Sequence, residues 1–290
     1  MKIFLFLLTT TCLWVSSCGQ PTPNANTQIQ AADSGKESAQ PNLGSGLGAQ
    51  TQAPVSINGP VLHLLFLGNS YTQVNDLPHL FARLAASGHH GVETDMVAPG
   101  GYTLGQHANS TISLAKIKSR IWDEVVLQDQ SFMPALEAGR EQELNPGVRS
   151  LAYQIRQSGS QPLMYLTWGR QKGLPERGFS DYVSMQDQLT KGYLDIAQDQ
   201  KIPVAPVGEA FRTALGHDAS AALWGPDGSH PSVQGTYLAA CVFYAVLYQV
   251  SPEGLDYTAG LNSDQAKAMQ QAAAETVLTD RSRWLITPAN

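Results

Sequence analysis

The stretch that most constrains this chain is an apolar run that ends on a hydroxyl. Val61-Leu62-His63-Leu64-Leu65-Phe66-Leu67 leads directly into Gly68-Asn69-Ser70-Tyr71-Thr72, and six of the seven residues from 61 to 67 are apolar. A run so short and so little alternating reads as a strand buried on both faces, as in the interior of a parallel sheet. Taken alone, Gly68-Asn69-Ser70 predicts a β-turn, since all three are common turn formers. At the carboxyl edge of an open α/β sheet, the same block sets a hydroxyl where such folds keep their sites.

The rest of the chain alternates in kind. Helical patterns are expected over 77–87, 110–120, 146–157, 181–198, 209–215, 233–250 and 264–278, the second-last strongly apolar. Short apolar runs at 92–98, 124–127, 162–168 and 203–207 are expected as strands. Strand and helix thus alternate about five times. This predicts an α/β chain, a three-layer α/β/α sandwich around a central parallel sheet of about five strands. At 290 residues and 42% hydrophobic, the chain is long enough for one ordinary domain, expected over 59–290.

A second block gives the serine a chemical partner. Asp227-Gly228-Ser229-His230-Pro231 stands immediately before the apolar helix pattern. Pro231 and Ser229 are explained by a helix start alone. His230 is not. In a tight loop, Asp227 can accept from one ring nitrogen and fix the tautomer, which leaves the other nitrogen as a base. A serine hydroxyl is a weak nucleophile until such a base takes its proton. The candidate catalytic set is therefore Ser70, His230 and Asp227.

Together these blocks resemble the SGNH (GDSL-like) hydrolase superfamily, in which a Gly-Asp-Ser or Gly-Asn-Ser block follows the first strand and one late Asp-x-x-His block supplies acid and base. The resemblance spans about 61–250. The variant Gly-Asn-Ser-Tyr-Thr, with Leu127-Gln128-Asp129-Gln130-Ser131 and Trp224-Gly225-Pro226-Asp227-Gly228-Ser229-His230-Pro231, resembles a bacterial branch of it. The resemblance implies a flavodoxin-like sheet and a serine esterase without cofactor or metal. It implies an oxyanion hole made of the Ser70 N–H, a glycine N–H after the second strand and an asparagine amide after the third. Gly100 or Gly101 fits the glycine; a plain turn explains them equally well. The expected Gly-x-Asn-Asp is missing, and Gln130, with Gln128 in reserve, is the candidate replacement, since a glutamine amide donates as asparagine does.

Tyr71, Trp168 and Trp224 flank these loops and are candidates for stacking on substrate, with core packing as the competing role for each. His63 is expected as a satisfied core histidine, and His89-His90 as a solvated turn. His217 and Asp218 are adjacent, a spacing that points them apart.

Residues 1–17 read as an export signal: Lys2, an apolar core too short to span a bilayer, then Val15-Ser16-Ser17-Cys18. Small residues before the cysteine resemble a bacterial lipobox, which implies lipidation at Cys18; Gly19 after it implies the outer membrane. Residues 18–58 are polar and contain no aromatic side chain, the composition of a flexible tether. With Cys12 and Cys18 withdrawn, Cys241 is the only thiol left to the domain and is expected as a buried small hydrophobe. The net charge of -6 and the lack of a basic run speak against nucleic acid as a partner.

The expected function is hydrolysis of short acyl esters, O-acetyl above all, on carbohydrate or envelope glycan, with a small-molecule or glycan ester as partner and membrane contact through the anchor only. The alternatives are a lipase or thioesterase of the same mechanism, or a non-catalytic glycan- or partner-binding lipoprotein. The oligomeric state is not legible.

Overall fold

The computed structural model describes residues 57–288. The signal, the lipidation site at Cys18 and all but the last two residues of the expected tether lie outside them.

Five strands carry the sheet: β1 (Leu62–Leu67), β2 (Val92–Val97), β3 (Glu124–Leu127), β4 (Gln161–Tyr165) and β5 (Val204–Ala205). All pair in parallel, in the order β2-β1-β3-β4-β5. Leu64 to Leu67 are fully buried, as a strand covered on both faces requires. The register pairs Leu67 with Val97 on one side and with Leu127 on the other. The three neighbouring strands β2, β1 and β3 therefore end at one level, and the loops that follow them start side by side.

Helices α2 (Leu77–Ser87), α8 (Val207–His217), α9 (Val233–Tyr248) and α10 (Ser263–Leu278) pack as one group. Helices α3 (Leu104–Ala108), α4 (Thr111–Ile117), α6 (Asn145–Gln157) and α7 (Tyr182–Gln200) form the other. Every residue of α9 from Gln234 to Val246 is buried, because the sheet lies against one side and α2 and α10 cover the rest. An apolar sequence all round is what such a helix needs. Cys241, a free thiol, lies in this helix, fully buried as expected.

The elements differ from the sequence reading where a local rule was outvoted or passed over. β5 is only two residues long because Pro203 and Pro206 flank it and neither has an N–H to give the ladder. α3 lies in a stretch for which the sequence reading expects no element; Thr103 and Gln106 form a capping box at its start. His63 is not a core residue. Its ring is half-buried at the strand's beginning, 3.4 Å from both Glu93 and Asp123 carboxylates. His90 is not a solvated turn residue either: it stacks on Tyr248 at 3.8 Å.

Candidate active site

The strand order switches direction between β1 and β3, with β2 on one side and β3 to β5 on the other, which makes the carboxyl ends of these two strands the place for a site. Ser70 opens the one-turn helix α1 (Ser70–Gln73) directly after β1. Gly68 is required at this junction: a Cβ there would come within 2.6 Å of both Thr72 Oγ1 and Gln128 Oε1. Asn69 caps α1, its Oδ1 accepting from the Tyr71 N–H at 3.1 Å. Its Nδ2 donates to the carbonyls of Tyr102 (2.9 Å) and Asp129 (3.3 Å). One side chain thus ties the β1 loop to the loops after β2 and β3.

His230 stands between Ser70 and Asp227. Its Nδ1 is 2.5 Å from Asp227 Oδ2 and its Nε2 is 2.9 Å from Ser70 Oγ. Both contacts match the about 2.6–3.2 Å expected of a base and its partners, at the short end for the carboxylate. Asp227 also accepts the backbone N–H groups of Ser229 and His230, each at 3.0 Å, through Oδ1. The His230 hydrogen bond is the main reason its carboxyl is held down to about 2. An ionised Asp227 accepts from Nδ1–H and leaves the Nε2 lone pair facing the serine.

The loop bearing these residues is held from behind by aromatic rings. Tyr71 stands edge-on to His230, and its hydroxyl lies 2.8 Å from Ser229 Oγ. Trp168 is sandwiched between Tyr71 (4.7 Å) and Phe211 (4.5 Å) and donates Nε1–H to the Ser229 carbonyl. Trp168 is fully buried, so of its two candidate roles the core one holds: it is a pillar under the loop and not a substrate platform. Trp224, also largely buried, donates to the Gly169 carbonyl and presents one edge to an open hollow it shares with Asp227 and His230.

A smaller pocket of about 200 Å³ lies over the serine, lined by Asn69, Ser70, Tyr71, Gly101, Gln130, Ser131, Arg170, Ser229 and His230. Of the two candidate glycines, Gly101 lines it and Gly100 does not. Gly101 has φ +75°, a conformation that favours glycine. The two glutamines separate clearly. Gln130 borders the pocket, and its Oε1 accepts the N–H groups of Phe132 (2.9 Å) and Met133 (3.3 Å). With its oxygen so occupied, the amide's donor end is free for the pocket. Gln128 is fully buried and spent on structure, contrary to its reserve role. Its Oε1 accepts from Asn69 N–H and Thr72 Oγ1, both at 2.9 Å, and its Nε2 donates to Asn69 Oδ1 and the Asp129 carbonyl.

Two supporting residues escaped the sequence reading. His107 is buried, with Nε2 2.7 Å from the Gly68 carbonyl and Nδ1 2.8 Å from Ser113 Oγ. Burial lowers its pKa, so it clamps the end of β1 as a neutral ring. Asp129 is fully buried. Its Oδ1 accepts the Leu104 N–H at 2.7 Å, while Oδ2 has no partner, and burial pushes the carboxyl up to about 7. No periodicity or spacing announces either residue.

Fold and site together define a flavodoxin-like sandwich with a Ser-His-Asp constellation at its switch point. Solved structures agree. A protein from Slackia heliotrinireducens, given provisionally as an SGNH hydrolase, is 28% identical over 65% of this chain and all of its own, with a TM-score of 0.57. A DUF4886 family protein from Bacteroides uniformis is 19% identical over 76% of this chain and 95% of its own, with a TM-score of 0.65. An acetyl xylan esterase shares the fold at 13% identity and a TM-score of 0.51, covering 63% of this chain and 98% of its own. No family model matches the sequence, and no curated protein matches it. The chain shares the fold of the SGNH/GDSL-like hydrolases, and its Ser70 and Asp227–His230 blocks stand in the same order along it.

Proposed function

We propose that the protein is a carboxylic ester hydrolase that cleaves short acyl esters, O-acetyl above all, from carbohydrate or envelope glycan. The observation that carries this is the position of His230, 2.9 Å from Ser70 Oγ and 2.5 Å from Asp227. His230 Nε2 takes the Ser70 proton as Oγ attacks the ester carbonyl. The oxyanion is received by the Ser70 N–H, which has no acceptor within the helix at this first-turn position, by the Gly101 N–H and by the Gln130 amide. His230 then hands its proton to the departing alcohol. Water, deprotonated by the same nitrogen, releases the acyl group and restores Ser70. Asp227 stays ionised throughout and steadies the imidazolium.

The small pocket over Ser70 suits a short acyl group, and the open hollow beyond His230 gives room for a larger alcohol. The acetyl xylan esterase among the similar folds lends the substrate class some weight. Export and a lipid anchor at Cys18 belong to the same proposal, and would place the enzyme at an envelope surface. Incorporation of labelled palmitate, lost in Cys18→Ala, tests the anchor.

Turnover of p-nitrophenyl acetate by the full chain, beside Ser70→Ala, tests the chemistry. Wild type active and Ser70→Ala at background is the expected result. Equal activity in both would remove Ser70 from the mechanism, and a folded protein inert to esters and to fluorophosphonates would be a binder.

A further inference from the structure

The pocket over Ser70 contains one side chain the acyl-transfer chemistry does not use. Arg170 follows the end of β4 and lines both this pocket and a second hollow, distinct from the one beside Trp224. Among the described residues, its guanidinium makes no hydrogen bond and no ion pair; only its backbone is engaged, through N–H to Met185 Sδ and C=O to Gly173 N–H. Its Nε is shut off from solvent and has no partner. Most other arginines are satisfied: Arg120 by Glu93, Arg149 by Asp199, Arg212 by Asp187. Asp227 and Glu176 border the neighbouring hollow, yet neither pairs with Arg170, and Asp227 is committed to His230.

A partly buried cation left without a counter-charge is costly unless something completes it. What holds Arg170 in place is a ring: its guanidinium lies 5.7 Å from the centre of Phe132, and Arg177 lies 5.5 Å from the same ring. Lys172 borders the adjoining hollow. Glu176 and Asp227 border the same hollow, so what sets Arg170 apart is its unpaired guanidinium and not an excess of positive charge. A guanidinium fork held by an aromatic face and short of acceptors matches a carboxylate in shape and charge.

We propose that Arg170 is a specificity-determining residue that binds a carboxylate carried by the ester substrate. This rests on the esterase reading and narrows its substrate class to acidic esters. The carboxylate could sit on the acyl half, as in a dicarboxylic half-ester, or on the alcohol half, as in an acetylated uronic acid. The chemistry at Arg170 is the same.

Two matched pairs of esters test it with the full chain. Mono-4-nitrophenyl succinate against 4-nitrophenyl butyrate probes the acyl half. Acetylated oligogalacturonate against acetylated xylo-oligosaccharide probes the alcohol half. Wild type should favour the charged member of one pair by about 10- to 100-fold in kcat/KM, a typical value for a charge-assisted hydrogen bond. The preference should lie mainly in KM, disappear in Arg170→Gln and survive in part in Arg170→Lys. An enzyme that turns over the neutral esters without preference in either pair, or a preference that persists in Arg170→Gln, overturns the proposal. If no ester is cleaved, the esterase reading fails and binding decides the anion site. Calorimetry with succinate and with oligogalacturonate, on Ser70→Ala and on Ser70→Ala/Arg170→Gln, should then show binding that requires Arg170. Binding by neither protein would overturn the proposal independently.

Discussion

Asn69 Oδ1 accepts from Gln128 Nε2 at 2.9 Å, and Gln128 Oε1 accepts from the Asn69 N–H at the same distance. This reciprocal pair locks the end of β1 to the end of β3 directly behind Ser70. The nucleophile is therefore placed by an amide–amide clasp across the switch point, while Gln130 on one loop and Gly101 on another line the pocket.

The clasp predicts different behaviour for the two glutamines. Gln128→Ala leaves two buried donors, the Asn69 N–H and the Thr72 hydroxyl, unmet, each costing roughly 1–3 kcal/mol. It should lower the melting temperature and activity together. Gln130→Ala removes a side chain from the pocket wall and should leave the fold largely intact while reducing kcat by about 10²–10³, as for other oxyanion donors. Calorimetric melting beside steady-state kinetics separates the two. A Gln130→Ala enzyme with unchanged kcat would remove that residue from the oxyanion hole.

Asp227→Asn should cost about 10⁴ in kcat, because an amide no longer enforces the tautomer that presents Nε2 to Ser70. The pH dependence has a definite sign. The Asp227 carboxyl is lowered to about 2, so its contribution to stability is present above the ordinary carboxylate pKa and is lost as pH falls through about 2. It therefore stays ionised across any working range. A melting-temperature gap between wild type and Asp227→Asn that stays constant from about pH 5 to about pH 8 is the expected result.

Asp129 works in the opposite direction. Its folded pKa is raised to about 7 by burial, so between the unfolded value near 4 and 7 the native state holds the proton and the unfolded chain does not. Stability therefore falls as pH rises through this window and levels off above it. Asp129→Asn resembles the protonated acid and cannot ionise. The variant should melt higher than wild type at pH 8, by at least about 2 °C, with the gap closing by pH 5. A gap independent of pH would show that Asp129 is already ionised in the native protein.

The parts of this molecule that were legible from sequence are those with a period or a spacing. The β1 run, the all-apolar α9 and the helix at Leu77–Ser87 follow from pattern alone. Ser70, Asp227 and His230 stood out because their residue types have no simpler explanation in their local context. What pattern could not supply was direction. Trp168 and Trp224 looked alike on paper, yet stacking between Tyr71 and Phe211 buries the first entirely. Gln128 and Gln130 are only two residues apart, yet the first is buried in the clasp with Asn69 and the second borders the pocket. His107 and Arg170 carry no local signal because their partners, Gly68 and the serine pocket, are distant in sequence.

Chain length gives the most direct reading of what the pocket accepts. The space over Ser70 is about 200 Å³ and is bounded by Gly101, Gln130 and Tyr71, with the fully buried Trp168 behind Tyr71. Extending the acyl group from acetyl to octanoyl would press it against a ring already stacked on Trp168 at 4.7 Å. Interiors packed to crystal-like density do not yield by a methylene without cost. A series of neutral p-nitrophenyl esters should therefore show kcat/KM falling steadily beyond a few carbons. The opposite trend, activity rising with length, would mean that the acyl chain lies along the open hollow beside Trp224 and that the protein is a lipase or thioesterase. In that case Trp224→Ala should depress activity on the long esters far more than on acetate.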